Sequence, residues 1–468
     1  MDGWTRPGLV VLVAALVSAS CGAPPVEPDV MRPVLETRDV PPQAWQERPP
    51  DDEVEDRTRA LFEEPLEVDD AIRVALLNHP KLRANLQQLR ASRATAFQEA
   101  LVANPRVDAE FLFGEHTELE AEATFDLASL VHLSLRRDIA RGEYEQARLR
   151  AAQGVVELMY DVQRAYYDHV AGRQLLEFER HIHEAARAQA IAAEELFEAG
   201  NITEFELATQ QSFASEVRLE VIRAEANVEA SRQRLHEAIG LEPRQHDWEV
   251  AGRLPELPDE PIDVDEVADR AVDNNLALDR LAHDVELGES RARLERRQGW
   301  LPRLEAGVGV EYRLEEQRPA VGPVVGITIP LFDRRQHAVD ARRAEALGAA
   351  YRRQALEGRI RAQAQSLAHR LEAADRQARH LQAQVIPLHE RTAGQAMRQF
   401  NAMEINVFEL LQVRRDQMRV GRQYIEALHN YWSHRARASR FIAGGDIDNG
   451  APLPDDDRGP QPAGADGH

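Results

Sequence analysis

Apolar residues between Ala71 and Leu89 recur at helical spacing: Ala71, Val74, Ala75, Leu82, Leu86 and Leu89. Asp69 stands near the start of this stretch and Asp265 near the start of a later one, where acids complement a helix dipole. The first helix is expected to end near Asn104–Pro105 and its later partner near Leu301–Pro302, because the residue before proline disfavours helix. The period then changes. Val107, Ala109, Phe111 and Phe113 alternate with polar or small residues, as do Leu304, Ala306, Val308, Val310 and Tyr312. Period two predicts strands. After a polar turn a second strand follows in each place: Ala121, Ala123, Phe125 and Leu127, then Val325, Ile327 and Ile329 before Pro330. Each is about 8–11 residues, the length a tilted strand needs to cross a bilayer.

The longest helices come next. Arg137 to Glu198 contains no proline and would reach about 90 Å at the helical rise. At Gly200–Asn201 the chain turns, and a helix from Thr203 runs back to Ile239 before Gly240. A second hairpin goes out from Arg334 to Gln399, turns at Asn401 to Glu404 and returns to Ile442. Pro387 interrupts its outgoing helix and predicts a kink, whereas its first-half counterpart is Glu184.

These two halves are copies. Phe197, Ala199, Ile202, Phe205, Glu206 and Leu207 recur as Phe400, Ala402, Ile405, Phe408, Glu409 and Leu410, at a constant offset of 203. Leu66, Val68, Asp69, Asp70, Ala75, Asn78 and Leu82 answer to Ile262, Val264, Asp265, Glu266, Ala271, Asn274 and Leu278 at offset 196. A repeat of about 180–200 residues is a folding unit rather than a solenoid module. The expected division is 1–20 signal peptide, 21–64 lead segment, 65–241 first repeat, 242–261 linker or surface-hugging segment, 262–444 second repeat and 445–468 disordered acidic tail. Two strands per copy give four, which cannot close a barrel. Open sheet edges in lipid would cost several kcal/mol per unsatisfied group, so copies of the chain must pool their strands; three copies supply about twelve.

Composition narrows the class. Aromatics are 6% and the formal charge is -23, which suits long solvated helices and excludes nucleic acid as a partner. Arg6 precedes an apolar run from Leu9 to Leu16, then Ser18, Ala19 and Ser20 lead to Cys21, the only cysteine. That is a signal-peptide core, and the small residues before the cysteine resemble a lipobox with Ser18 in place of the usual leucine. Cys21 is the expected lipidation (palmitate) site, and Gly22 after it agrees with outer-membrane delivery. A single acyl-type anchor binds membranes only marginally.

Candidate chemistry is sparse. His181 and His183 face different sides of a helix, and His79, His116 and His132 are isolated, so no metal site is expected. No nucleophile elbow, phosphate loop or paired His–Glu helix motif is present, so neither enzyme activity nor a cofactor is expected. The hairpin tips are the better candidates. Ile202, Phe205, Ile405 and Phe408 read as packed corners. Glu206 and Glu409 hold the same place in both tips, where apolar packing alone would not choose a charge.

The repeat openings, the "NPR" and "LPR" strand leads, "IPLFDRR" at Ile329 to Arg335, and the tips "FEAGNITEFEL" and "FNAMEINVFELL" resemble the outer-membrane efflux protein family, the TolC-like outer membrane factors. The resemblance spans Leu66 to Ala443. It implies a mostly α fold with a membrane β portion: a homotrimer whose 12-stranded β-barrel in the outer membrane of a Gram-negative bacterium continues as a periplasmic α-helical barrel. It implies a non-catalytic channel that docks on a periplasmic adaptor and an inner-membrane pump, proton-driven or ATP-driven. Gly200, Asn201, Ile202, Met403, Glu404 and Ile405 are then the adaptor-docking tips. Family members constrict the tunnel with acids on the helix after the second turn; Glu409 matches the first such position, Gln412 replaces the next, and Glu206 is the first-repeat equivalent. The family favours glycine in both tips, which Gly200 keeps and Met403 does not. "LSLRRD" at Leu133 to Asp138 is only a weak echo of "IPLFDRR". Two rival readings are a periplasmic coiled-coil scaffold, which leaves the strands unexplained, and a solute-binding or metal-storage module, which would need clustered ligands.

Overall fold

In a computed structural model of the chain, residues 31–36, 51–112, 118–241, 248–259, 263–313 and 318–445 are described. The expected signal peptide, the Cys21 lipidation site, much of the lead segment, residues 242–247 and 260–261 of the linker, Ile262, Phe113, His116 and the tail from 446 lie outside the described residues.

Among the described residues, two short helices, α1 (Arg32–Leu35) and α2 (Asp51–Leu61), precede the first unit. That unit comprises α3 (Val68–Asn78), α4 (Pro80–Glu99), β1 (Arg106–Leu112), β2 (Glu118–Asp126), α5 (Leu127–Glu198) and α6 (Glu204–Ala238). The second has the same order: α7 (Val264–Asp273), α8 (Leu276–Trp300), β3 (Leu304–Arg313), β4 (Arg318–Ile327), α9 (Gln336–His380), a π turn (Leu381–Val385), α10 (Ile386–Asn401) and α11 (Val407–Ile442). Among the described residues no helix is long and apolar enough to cross a membrane.

Several expected boundaries are corrected. The single opening helix of each unit is two helices. Pro80 cannot donate to the preceding turn, so the chain breaks at His79, whose ring accepts the Lys81 N–H at 3.1 Å and caps α4. In the second unit Asn275 makes the break, its carbonyl oxygen accepting the N–H groups of Ala277 and Leu278, both at 3.0 Å. α4 ends at Glu99, short of Asn104–Pro105, because the residues before the proline extend into β1. Leu127 and Ile329 fall outside their strands. Leu127 opens α5 ten residues before the expected Arg137, with Asp126 as N-cap accepting the Ser129 N–H at 3.2 Å. Ile329 lies in a connector, where Pro330 delays α9 until Gln336.

The four strands form one antiparallel sheet in the order β1-β2-β3-β4, so the β2–β3 pairing joins the two units. The alternation places Val107, Ala123, Val308 and Pro323 in one cross-strand row and Phe111, Leu119, Tyr312 and Pro319 in another on the same face. The opposite face carries Asp108, Glu122, Gly309 and Gly322, then Glu110, Glu120, Glu311 and Ala320. Val107, Val321 and Val325 are 72%, 66% and 71% exposed, so the apolar face lies open. Carboxylates directly opposite each other repel. Arg313 relieves part of this, reaching Glu118 at 2.8 Å and Glu311 at 2.7 Å.

The main core sits midway along the long helices. Val74, Ala75 and Leu82 pack there with Val155, Val162 and Val170 of α5 and with Leu235 and Ile239 at the end of α6. A second cluster joins Ile360, Ala364 and Leu367 of α9 to Ala271, Leu278 and Tyr431. Residues 248–259 hug this region as a strap. Leu66 and Val250 form a parallel bridge, Trp248 and Val250 are buried, and the Trp432 indole donates to the Pro255 carbonyl at 2.9 Å. At 1.5 Å per residue, the 72 residues of α5 extend about 108 Å away from the sheet.

Candidate functional site: the paired hairpin tips

Each hairpin turns by the same device. The Gly200 N–H donates to the Phe197 carbonyl at 2.9 Å and the Asn201 N–H to the Leu196 carbonyl at 2.8 Å, the two hydrogen bonds of a Schellman cap. Met403 and Glu404 repeat it on Phe400 and Gln399 at 2.9 and 2.8 Å. The motif requires left-handed backbone at its pivot, with φ of +73° at Gly200 and +63° at Met403. Glycine reaches that region freely, whereas a side chain there costs about 1–2 kcal/mol. Met403 is nonetheless 93% exposed, with no packing of its own to offset the strain.

The return helices begin with matched caps. Thr203 is the N-cap of α6, and Glu206 closes a capping box, accepting the Thr203 N–H at 2.7 Å and its hydroxyl at 2.9 Å. Those two bonds hold the Glu206 carboxyl below its ordinary pKa. Asn406 caps α11, accepting the Glu409 N–H at 3.0 Å, while its amide approaches Glu409 Oε1 at 3.4 Å. The acid common to both tips thus has a structural cause at the third helical position, where it also meets the positive end of the dipole. "TEFE" and "NVFE" carried that signal in the sequence, and the box was legible there.

Glu409 is exposed and shares a helix face with Gln412 three residues on. Sequence reasoning overlooked the next member of that face. Asp416 accepts from Gln412 at 3.5 Å and from Arg419 at 2.7 Å, so the row reads acid, amide, acid, base. Asn201, Glu404 and Met403 are exposed, and Ile202 and Ile405 are half-buried against the turns.

The two tips lie together. The Phe205 and Phe408 rings are 5.6 Å apart. Farther up, Leu411 enters a cluster with Ile182, Ala186, Phe213 and Val217, and Arg415 lies over the Phe213 ring at 4.7 Å. Arg422 of α11 then grips Glu179 of α5 at 2.6 and 2.8 Å, with the carboxylate buried. A Cβ on Gly421 would stand 2.4 Å from the Phe178 ring, so the glycine admits this close approach. His429 and Asp168 pair at 2.7 Å beyond it. None of these partners was readable from the chain, because they lie on segments far apart in sequence.

Among the described residues no group of three or more His, Cys, Asp or Glu is placed to hold a metal ion. His79 caps a helix and His132 bonds the Leu301 carbonyl at 3.2 Å. The geometry therefore offers a shaft, an open sheet and a paired tip.

Residues 71–241 match the family model described as outer membrane efflux protein. No curated protein matches the chain in sequence. Among solved structures, the fold is similar to the Campylobacter jejuni CmeC outer membrane channel, at 12% identity and a TM-score of 0.67 over 82% of this chain and 87% of that one. It is similar to the Vibrio cholerae outer membrane protein VceC at 13% identity and a TM-score of 0.63, over 81% of this chain and 96% of that one. The open-state Neisseria gonorrhoeae MtrE outer membrane channel aligns at 14% identity and a TM-score of 0.58, over 81% and 89%. At these identities the likeness speaks for the fold alone. In sequence, it is the first unit, residues 71–241, that is similar to the outer membrane efflux protein family.

Proposed function

We propose that three copies of this chain form an efflux channel: a 12-stranded barrel in the outer membrane above a periplasmic tunnel of long helices. The observation that carries the reading is the sheet. Among the described residues β1 and β4 each pair on one side only, one face is apolar and exposed, and the other is acidic. Only closure with further copies satisfies the two edges in lipid, and it turns the apolar rows outward and the carboxylates toward water. The helical hairpins continue the same wall, so solute moves passively down a wet lumen. A periplasmic adaptor would meet the tips at Gly200, Asn201, Ile202, Met403, Glu404 and Ile405, and an inner-membrane pump would supply the energy. Cys21 would add a lipid anchor to the barrel's own hold on the membrane.

Glu409, with Gln412 and the first-repeat Glu206, would constrict the tunnel at the paired tips. Its side chain is exposed beside the ring contact that joins the hairpins. Glu409→Ala should raise single-channel conductance and lower cation preference in planar bilayers, by a factor of about 2 or more for a charge repeated in each copy. Unchanged conductance and selectivity would remove Glu409 as the gate, and no conductance from the wild type would remove the channel reading itself.

A further inference from the structure

Far from the tips, a cleft of about 620 Å³ opens where α5, α7 and the end of α11 meet. Its walls include Tyr160, Arg270, Asn274, Arg435 and Arg440. Three arginines around one cleft stand out in a chain with a formal charge of -23. Arg270 is answered by Glu266 at 3.4 Å, and Glu36 on the rim is engaged by Arg32 at 3.1 Å. The other two arginines have no carboxylate partner among the described residues. Arg435 donates to the Tyr431 hydroxyl at 3.0 Å and lies over Trp432. Arg440 lies over the Tyr160 ring at 4.8 Å, and its buried Nε has no hydrogen-bond partner. Arg437 alongside donates to the Tyr160 hydroxyl at 3.4 Å. Guanidinium groups held this way present open donors to a carboxylate.

The chain itself leaves from the wall of this cleft. The Gly445 N–H donates to the Arg440 carbonyl at 2.9 Å. The next residues, 446–468, carry Asp446, Asp448, Asp455, Asp456, Asp457 and Asp466 against the single Arg458. Even Asp455, ten residues on, lies within about 35 Å of extended chain from Gly445. A tether this short keeps the carboxylates at millimolar effective concentration.

We propose that the cleft docks the chain's own acidic segment 446–468, with aspartate carboxylates on Arg435 and Arg440. The segment then acts as a latch, bridging α5 of the first unit to α7 and α11 of the second. It works whether or not the protein conducts.

The test is trypsin cleavage after Arg458 in the full-length protein, read by mass spectrometry and divided by the rate for a free peptide of residues 446–468. At low salt the protein should be cleaved about tenfold more slowly than the peptide, and at high salt nearly as fast. Arg435→Gln with Arg440→Gln should abolish the protection. The triple change Asp455→Asn, Asp456→Asn and Asp457→Asn, which leaves the folded body untouched, should abolish it as well. Equal rates for wild type and peptide at low salt would overturn the latch, as would protection that survives the Asp changes. Protection that grows with protein concentration would place the segment on another copy and overturn the intramolecular form.

Discussion

The two hairpins end in nearly the same tip but reach it on different shafts. α5 runs unbroken for 72 residues past Glu184 and turns at a glycine. Its counterpart is helical only to His380. There the backbone widens into a π turn, in which the Ile386 N–H reaches the Leu381 carbonyl five residues back, just before Pro387. That wider turn absorbs the missing proline donor without a full break. The second hairpin then pivots on Met403, a residue poorly suited to left-handed backbone. Matching caps and unequal shafts separate two demands. The tip must be built alike in both copies, while the helical irregularity is concentrated in one.

The largest test transplants the irregularity. Glu184→Pro places a proline in the straight shaft, where no π turn precedes it, and should cost about 3 kcal/mol or more in chemical denaturation. If that cost is near zero, the two shafts are equivalent and the contrast fails. Next comes the joint between hairpins. Arg422→Ala strands Glu179, whose buried Oε2 already lacks a partner, and should cost about 3 kcal/mol. The companion Glu179→Gln should recover part of it.

A third test uses a histidine that only the first shaft carries. His169 is buried against Ser231 at 2.9 Å and Trp248, and burial, then the charges of Arg173 and Arg232, hold its pKa at about 4. Its second-repeat equivalent is Glu372. Because the folded value lies below the ordinary 6.5, the unfolded chain binds the proton more readily. Stability is therefore complete above pH 6.5 and declines as pH falls toward 4, by at most about 3 kcal/mol. His169→Gln should flatten that part of the denaturation profile. The smallest effect concerns the pivot. Met403→Gly should gain about 1 kcal/mol by removing the left-handed strain, measurable as a rise in melting temperature, whereas Gly200→Met should lose a similar amount.

Much of the candidate site was readable in the chain, for local reasons. The tip turns announced themselves through Gly200 and its Met403 counterpart, and Pro387 marked the shaft whose helix is irregular. The form of that irregularity, a π turn upstream of the proline, was not readable, because it depends on how the helix recovers its hydrogen bonds. The shared acids were noticed, but Glu206 and Glu409 also cap helices, a role written in "TEFE" and "NVFE" and passed over. Asp416 was missed although it sits one turn beyond Gln412. The opening helices were read as continuous, although Pro80 alone argued for a break.

Sequence by itself determined what depends on neighbours along the chain. Period-two alternation fixed which sheet face is apolar, the scarcity of proline fixed the length of the shafts, and the repeat fixed their number. Tertiary structure decided what depends on distance through space. It chose β2 and β3 as the junction of the two units, set Arg422 on Glu179, brought Phe205 to Phe408, and folded residues 248–259 into a strap rather than a free linker. The reason is physical: backbone preference and hydrophobic period are local properties, whereas a buried ion pair or a strand register is selected only when two distant segments exclude water from each other.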